Sequence, residues 1–334
     1  MREIAFIKQN KEKWLEVEQL VSGKIKRTPD QLASLYVEIM NDLAFSQTYY
    51  PKSKTTKYIN YLASGIYQKI YGVKREEGNR FARFFKKDVP LIAYEYRRFI
   101  YFSLAVFTIL TAIGVISAAH DQSFVRLILG DQYVNMTLNN IADGNPVAVY
   151  KSGSDWGSFI GITFNNLRVG VLVYFFGLFL GIGTFYIYLN NCVMLGSFQY
   201  FFYEQGVLLD SVRGIWIHGS MEIFAIVIEA SAGFALGASI LFPHTYSRMN
   251  SFKIGFKKTF KLFVSTIPFT IAAGFLEGFI TRYAMEMPIY LAFFIILSTL
   301  FAIAYYYLIY PFVVMRKMSS NTLLKSNNYE FSTT

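Results

Sequence analysis

Cysteine is almost absent from this sequence, and histidine is scarce. Cys192 is the single cysteine in 334 residues, so the chain can form no intramolecular disulfide and has too few thiols for a zinc knuckle. Three histidines occur, and no HExxH motif is present. His218 is the one histidine inside an apolar run, whereas zinc usually takes three protein ligands. The sequence therefore predicts no metal site and no cofactor.

The motifs of nucleotide-binding and hydrolytic enzymes are missing as well. The chain contains no Walker loop, no dinucleotide fingerprint and no nucleophile elbow. It also lacks the Ser, His and Asp order of a catalytic triad. We therefore expect a protein that is not an enzyme.

Charged residues are scarce too, which indicates that part of the chain lies in a membrane. Charged residues make up 16% of the chain and hydrophobic residues 54%, and the mean hydropathy is +0.33. This composition is too apolar for an ordinary soluble domain.

Several apolar runs are long enough to cross a membrane, which takes about 20 residues of helix. Five runs reach this length: residues 99–119, 168–189, 214–241, 262–284 and 288–315. A sixth candidate, 192–209, is short and is separated from the run before it only by Asn190 and Asn191. We predict an all-α, polytopic helical membrane protein with about six hydrophobic segments, or five if 192–209 is re-entrant.

The basic residues favour six crossings. Residues 1–98 hold 19 Lys and Arg against 11 Asp and Glu, and residues 242–261 hold five basic residues and no acid. With six spans and a cytoplasmic N-terminus, 27 of the 32 basic residues lie on the cytoplasmic side, as the positive-inside rule favours. The first residues contain no apolar core of signal-peptide length.

Residues 1–97 are predicted to form a cytoplasmic, basic, helical domain. Thr28 and Pro29 supply a cap and a first-turn proline for one helix. A second helix is expected over about 54–71, with Gly72 as its C-cap. The stretch "NRFARFFKKDVP" then alternates Phe with Arg and Lys, which fits either a helix at the lipid headgroups or a helix packed on the two before it.

The rest of the chain is predicted to be a transmembrane domain, residues 98–316, followed by a disordered tail, 317–334. Between the first two spans, residues 120–166 are too long for a turn, and we expect one amphipathic helix there, at the outer surface. The tail is polar and carries no apolar periodicity.

Ionisable residues interrupt the run 214–241. On a helix His218 and Glu222 are four residues apart and Glu229 is seven residues further on, so the three lie on one face. A charge that faces lipid costs at least about 2.5 to 3.5 kcal/mol, so this face is expected to turn towards protein. Glu277 lies at the same depth of its own span as Glu222. We predict an intramembrane polar cluster in the outer leaflet that contains Asn165, Asn166, Arg168, His218, Glu222, Glu229, Glu277, Thr281 and Arg282.

Four roles are open for this cluster. Its members could hydrogen-bond one another as contacts between helices, or they could relay protons or ions. They could also support metal-dependent hydrolysis, although the ligand set is incomplete by the argument above. In the fourth role the cluster keeps the outer surface rigid for a docking partner.

Several longer stretches carry a family resemblance. "LYVEIMNDLAFSQTYYP" and "YINYLASGIY" occur in the N-terminal domain, and "NNLRVGVLVYFFGLFLGIGTFYIYLNNCVMLG", "HGSMEIFAIVIEASAGFALG" and "IAAGFLEGFITR" follow. In this order and spacing they resemble the stage II sporulation protein M family of integral membrane proteins. One departure is "FPHT", where His244 stands in place of the glycine expected after the span.

The resemblance implies a non-enzymatic scaffold of the bacterial envelope in the inner (cytoplasmic) membrane. The founding member is similar to a scaffold that gathers peptidoglycan-degrading enzymes at the membrane during engulfment. Such a scaffold docks cytoplasmic and extracytoplasmic partners, so the expected partners are membrane lipids and envelope proteins, among them peptidoglycan hydrolases. Nucleic acid is not expected, and a homo-oligomer stays open.

Two other functions remain open. The first is a transporter or channel with a polar intramembrane site around Glu222 and Glu277, because carboxylates inside a membrane commonly mark conduction paths. The second is an intramembrane hydrolase, which would contain stoichiometric metal.

Overall fold

The protein is all-helical in the part of the chain that the computed structural model describes, with no strand in that part. The described residues are 2–25, 27–71, 79–146, 148 and 154–330, with the backbone alone for 321–330. The chain divides into two compact units, Met1–Gly78 and Asn79–Thr334.

The described residues of the first unit form a bundle of three helices: α1 (Glu3–Val21), α2 (Pro29–Tyr49) and α3 (Lys54–Tyr71). α2 begins where the sequence predicted. The Thr28 hydroxyl accepts a hydrogen bond from the backbone N–H of Gln31 in a capping box. The buried core consists of Phe6, Trp14, Val17, Ile39, Leu43, Ile59, Leu62, Ala63 and Ile66. Gly72, which was predicted to cap α3, lies outside the described residues.

The segment 80–95, α4, belongs to the second unit, whereas the sequence analysis ended the N-terminal domain at residue 97. It consists of Arg80–Arg83, a π-helical turn and Val89–Glu95. Val89 and Ala93 are buried in the core of the second unit, which explains why this unit begins at Asn79 rather than at residue 98. Asp88 and Glu95 form ion pairs with Lys261 and Lys258.

Six long helices follow, and five of them are long and apolar enough to cross a membrane. The five are α5 (Arg97–His120), α8 (Asp155–Leu178), α10 (Leu208–Leu241), α11 (Arg248–Tyr283) and α12 (Ile289–Ser320). The apolar window of α10 is 67% buried, against 17–44% for the other four. α10 is therefore the central helix of the bundle.

The sixth long helix, α9 (Ile182–Glu204), corrects the predicted segments 168–189 and 192–209. Asn190 and Asn191 lie inside this helix rather than between two helices. The chain reverses earlier, where Gly181 has a φ of +82°, which glycine adopts without the steric cost of a side chain. Residues 192–204 are thus the second half of one continuous helix that begins at Ile182.

Contacts between these helices show that they alternate in direction. Ser103 donates to the Val227 carbonyl, and Ser197 donates to the Gly114 carbonyl, so α9 runs parallel to α5 and α10 runs against both. Leu262 and Tyr307 share one buried cluster, and Ala284 and Ala292 share another, so α11 and α12 are antiparallel. The starts of α5 and α9 and the ends of α10 and α12 therefore lie at one end of the bundle.

Two short helices cover the other end, in place of the single amphipathic helix expected over 120–166. They are α6 (Gln122–Leu129) and α7 (Asp131–Ala142), and they form what we call the hairpin. Gly130, with a φ of +85°, separates them. Val125 and Val134 of the hairpin pack on Phe198 and Ile215 of the bundle. The segment ends at Ser154, whose hydroxyl caps α8, because Asp155–Phe175 is already helical.

The tail also differs from the expectation of disorder. The helical backbone that begins at Tyr310 continues to Glu330, beyond the predicted boundary at 317. Residues 331–334 lie outside the described part of the chain.

Candidate intramembrane binding site

Two helices bring the central polar residues of the site together. His218 and Glu222 are one turn apart on the buried helix α10, so their side chains leave the same face. Glu277 and Thr281 come from the end of α11, where Leu276–Ile280 forms a π-helical turn and Thr281–Tyr283 a 3₁₀ turn. π-Turns inside helices are frequent at functional sites.

His218 is the centre of the contacts between these helices. Its Nδ1 forms a hydrogen bond of 3.1 Å with Thr281 Oγ1. Its Nε2 lies 3.6 Å from Glu277 Oε2. His218 and Thr281 are 4% and 1% exposed, so the imidazole is held between two buried partners.

Glu222 completes a group of three ionisable side chains. His218, Glu222 and Glu277 each offer one ligand atom, and these atoms lie within 4.8 Å of one another. Among the described residues this is the group of histidine, cysteine and acidic side chains that could hold a metal ion.

The group faces a half-open cavity of about 450 Å³ inside the bundle. α8 contributes Asn165 and Asn166, α9 contributes Asn191 and Cys192, and apolar side chains such as Phe107 complete the wall. Asn166 faces Glu222 and hydrogen-bonds its carboxylate, and both side chains line the cavity.

The cavity is electrostatically unbalanced. Its lining contains two carboxylates and one imidazole and, among the described residues, no lysine or arginine. Charged carboxylates in a low-dielectric surrounding are costly unless a cation or several hydrogen bonds compensate them. The arrangement therefore favours a positively charged or proton-carrying ligand.

Three members of the predicted cluster lie elsewhere. Glu229 is buried deeper along α10, where Thr266 Oγ1 donates to Glu229 Oε1 over 2.8 Å. Arg282 forms an ion pair with Asp155 at the start of α8. Arg168 is exposed on the outside of the bundle.

The sequence analysis missed several residues that shape the site. Asp155 forms the ion pair with Arg282, and Thr266 forms the hydrogen bond with Glu229. Asn191 and Cys192 line the cavity. The sequence analysis placed Asn191 between two apolar runs, whereas it lies inside α9. The glycine-rich stretch "GLFLGIG" could have indicated the correct boundary. The chain reverses there, and α9 begins directly after Gly181.

Comparisons with known proteins match two regions of the chain. Residues 4–72 match the model of a domain of unknown function, DUF8413. No curated protein and no solved structure matches the chain significantly. Residues 103–282, more than half of the chain, match the family model described as Stage II sporulation protein M, and this range contains every member of the predicted polar cluster. The chain therefore belongs to the stage II sporulation protein M family.

Proposed function

We propose that this protein is a non-enzymatic transport protein of the bacterial cytoplasmic membrane that carries a small cation or proton through the cavity beside Glu222 and Glu277. One observation carries the proposal: two carboxylates and an imidazole face a half-open cavity of about 450 Å³ that lacks lysine and arginine among its described residues. Carboxylates at membrane depth commonly belong to ion or proton pathways.

The purely structural alternative is less well supported. Hydrogen-bonding contacts between helices use up the polar groups that form them, as Ser103 does with the Val227 carbonyl. Glu222 and Asn166 instead line the half-open cavity, where their polar groups can be reached by an external ligand.

The orientation is part of the same proposal. With the first unit in the cytoplasm, six crossings leave 27 of the 32 basic residues on the cytoplasmic side. The hairpin then lies at the outer face. Phe198 and Ile215 both line the cavity and contact the hairpin, so a ligand would enter from this side.

Reconstitution of the full-length protein in liposomes tests the proposal. Wild-type protein should carry protons or divalent cations, measured with an entrapped pH dye and an entrapped metal-sensitive dye, and Glu222→Gln and Glu277→Gln should abolish the flux. Glu229→Gln is the matched control, because its oxygen still accepts from Thr266 outside the cavity. Wild-type flux equal to that of empty liposomes, or undiminished flux in both cavity variants, would reject transport.

A scaffold is the second candidate, and exposed apolar residues in the first unit favour it. Val37 and Met40 lie on one face of α2 and are 58% and 40% exposed, and the exposed rings of Tyr67 and Tyr71 contact each other on α3. Exposed apolar surface of this kind suits protein partners. By analogy with the family's founding member, the hairpin would dock extracytoplasmic proteins such as peptidoglycan hydrolases.

Crosslinking separates the two candidates. A photoreactive residue at Leu127, which is 78% exposed on the hairpin, should capture envelope proteins from intact cells if the protein is a scaffold. Capture of none, together with cation flux in liposomes, would favour transport alone.

A further inference from the structure

We propose that His218, Glu222 and Glu277 form a three-ligand site for a divalent transition-metal cation, with an open coordination position towards the cavity. The inference rests on the same cavity as the proposed transport function and names its ligand. It is carried by the geometry of the three side chains and by the charge of the cavity.

The ligand geometry fits a small cation. In a tetrahedral site with bonds of about 2.0 to 2.2 Å, two ligand atoms stand about 3.4 Å apart. His218 Nε2 and Glu277 Oε2 are separated by 3.6 Å. The three ligand atoms all lie within 4.8 Å of one another, so all three can approach one small cation.

The orientation of His218 is suited to a ligand. Its Nδ1 bonds to Thr281, and its Nε2 is directed to the carboxylate of Glu277. A metal-binding histidine usually uses one ring nitrogen for the metal and the other for a supporting hydrogen bond that fixes the ring. Thr281 is therefore a positioning residue for this site.

Charge balance favours a divalent ion over a monovalent one. When both carboxyl groups are deprotonated they carry two negative charges, and one divalent cation neutralises both in a wall whose described residues include no lysine or arginine. An imidazole and two carboxylates suit Zn²⁺, Mn²⁺ or Fe²⁺, whereas Mg²⁺ and Ca²⁺ prefer oxygen ligands alone.

Three protein ligands leave at least one coordination position for water or an exchangeable ligand. The cavity lies on that side of the group, with Asn165 and Asn166 on its wall. A closed structural site would offer four protein ligands. The open position is what a cation needs in order to enter and leave.

Equilibrium dialysis of metal-stripped, full-length protein in detergent tests the site. We expect wild-type protein to bind about one equivalent of Zn²⁺ or Mn²⁺ in the presence of excess Mg²⁺. His218→Gln, Glu222→Gln and Glu277→Gln should each weaken binding by roughly 10-fold or more, on the scale seen when residues of a metal site are removed. Glu229→Gln should bind as wild type does. Each variant is checked for a monodisperse, helical state. A rise of the wild-type Tm with Zn²⁺ but not with Mg²⁺ is a second test of metal binding that needs no variant.

The outcomes separate this inference from the transport proposal. No stoichiometric binding by wild-type protein, or equal binding by all folded cavity variants, overturns the metal site even if proton flux is observed. Stoichiometric binding that the three substitutions weaken supports the metal site. If liposomes then carry no cation, the transport proposal is rejected and the metal site stands.

Discussion

At the scale of single residues, two residues other than glycine have a left-handed backbone conformation, which is costly for a residue with a side chain. His244 has a φ of +53° in the turn after α10, and Leu180 has a φ of +55° in the turn before α9. The left-handed region costs a residue with a Cβ roughly 1 to 2 kcal/mol. The glycine that the family resemblance led us to expect at position 244 would avoid this cost.

His244→Gly should therefore stabilise the protein by about 1 kcal/mol, since the relief of strain exceeds the larger chain entropy of glycine. Gly181→Ala is the converse variant: nothing lies nearer than 3.7 Å to an added Cβ, so it introduces strain without a clash and should destabilise by a similar amount. Thermal unfolding in detergent measures both. Destabilisation by His244→Gly would contradict the left-handed turn.

Glu3 gives a pH-dependent prediction for the first unit. The Ser53 and Thr55 hydroxyls donate to its carboxylate, and these hydrogen bonds hold the pKa of Glu3 below its ordinary value. A lowered folded pKa contributes stability that is present above the unfolded pKa of about 4.3 and is lost as the pH falls through the folded pKa. Above that window the contacts tie the start of α1 to the start of α3.

Glu3→Gln keeps an acceptor oxygen but removes the charge. At pH 7 we expect faster amide hydrogen exchange along α1 in this variant than in the wild type, and the difference should vanish below the lowered pKa of Glu3. Glu12→Gln, on the same helix, is a control substitution for the loss of one acidic charge. Equal exchange of Glu3→Gln and wild type at pH 7 would show that the carboxylate does not hold the helix.

At the scale of helices, small residues set the distances inside the second unit. Lipid chains are as apolar as leucine, so membrane helices associate through close packing and hydrogen bonds rather than through burial of apolar surface from water. Gly196 of α9 rests against the backbone of α5, and a Cβ there would overlap the Thr111 carbonyl. α5 and α9 therefore approach closely along parallel paths.

Gly196→Ala should destabilise the second unit by about 1 to 3 kcal/mol, because the two backbones must move apart. Gly161→Ala is the matched control, since nothing lies within 4 Å of its added Cβ, and it should be neutral or slightly stabilising. Thermal unfolding in the same detergent compares the two. Equal melting temperatures would mean that α5 and α9 are not in backbone contact.

Helices and boundaries were not equally accessible from the sequence. The cap at Thr28 and the long runs of α5, α10 and α12 predicted helices, because these signals are local. The break between α8 and α9 was misplaced, because polar residues inside a bundle were taken as ends of spans. Asn191 lies inside α9 and lines the cavity, and only the arrangement of neighbouring helices reveals this.

The same distinction applies to the site. The pairing of His218 with Glu222 follows from helical spacing, and the approach of Glu277 follows from equal depth in antiparallel helices. The positions of Glu229 and Arg282 depend on partners, Thr266 and Asp155, that lie far away in sequence. Spacing along one helix cannot identify such partners.

At the scale of the whole molecule, a central helix carries the ionisable residues and the other helices of the bundle shield them from lipid. α10 is the most buried of the five apolar spans, and the cavity opens beside it beneath the hairpin. The proposed functions differ in what this cavity does: transport requires that ions reach Glu222 from water, whereas a purely structural cluster requires no such access.

Accessibility of position 222 tests this requirement most directly. In a Cys192→Ala background, Glu222→Cys should react with a charged, membrane-impermeant thiol reagent added outside intact cells, while Ser231→Cys, fully buried on the same helix, should not. If Glu222→Cys resists the reagent from both sides of the membrane and reacts only after denaturation, the cavity is closed to ions and the proposed function is wrong.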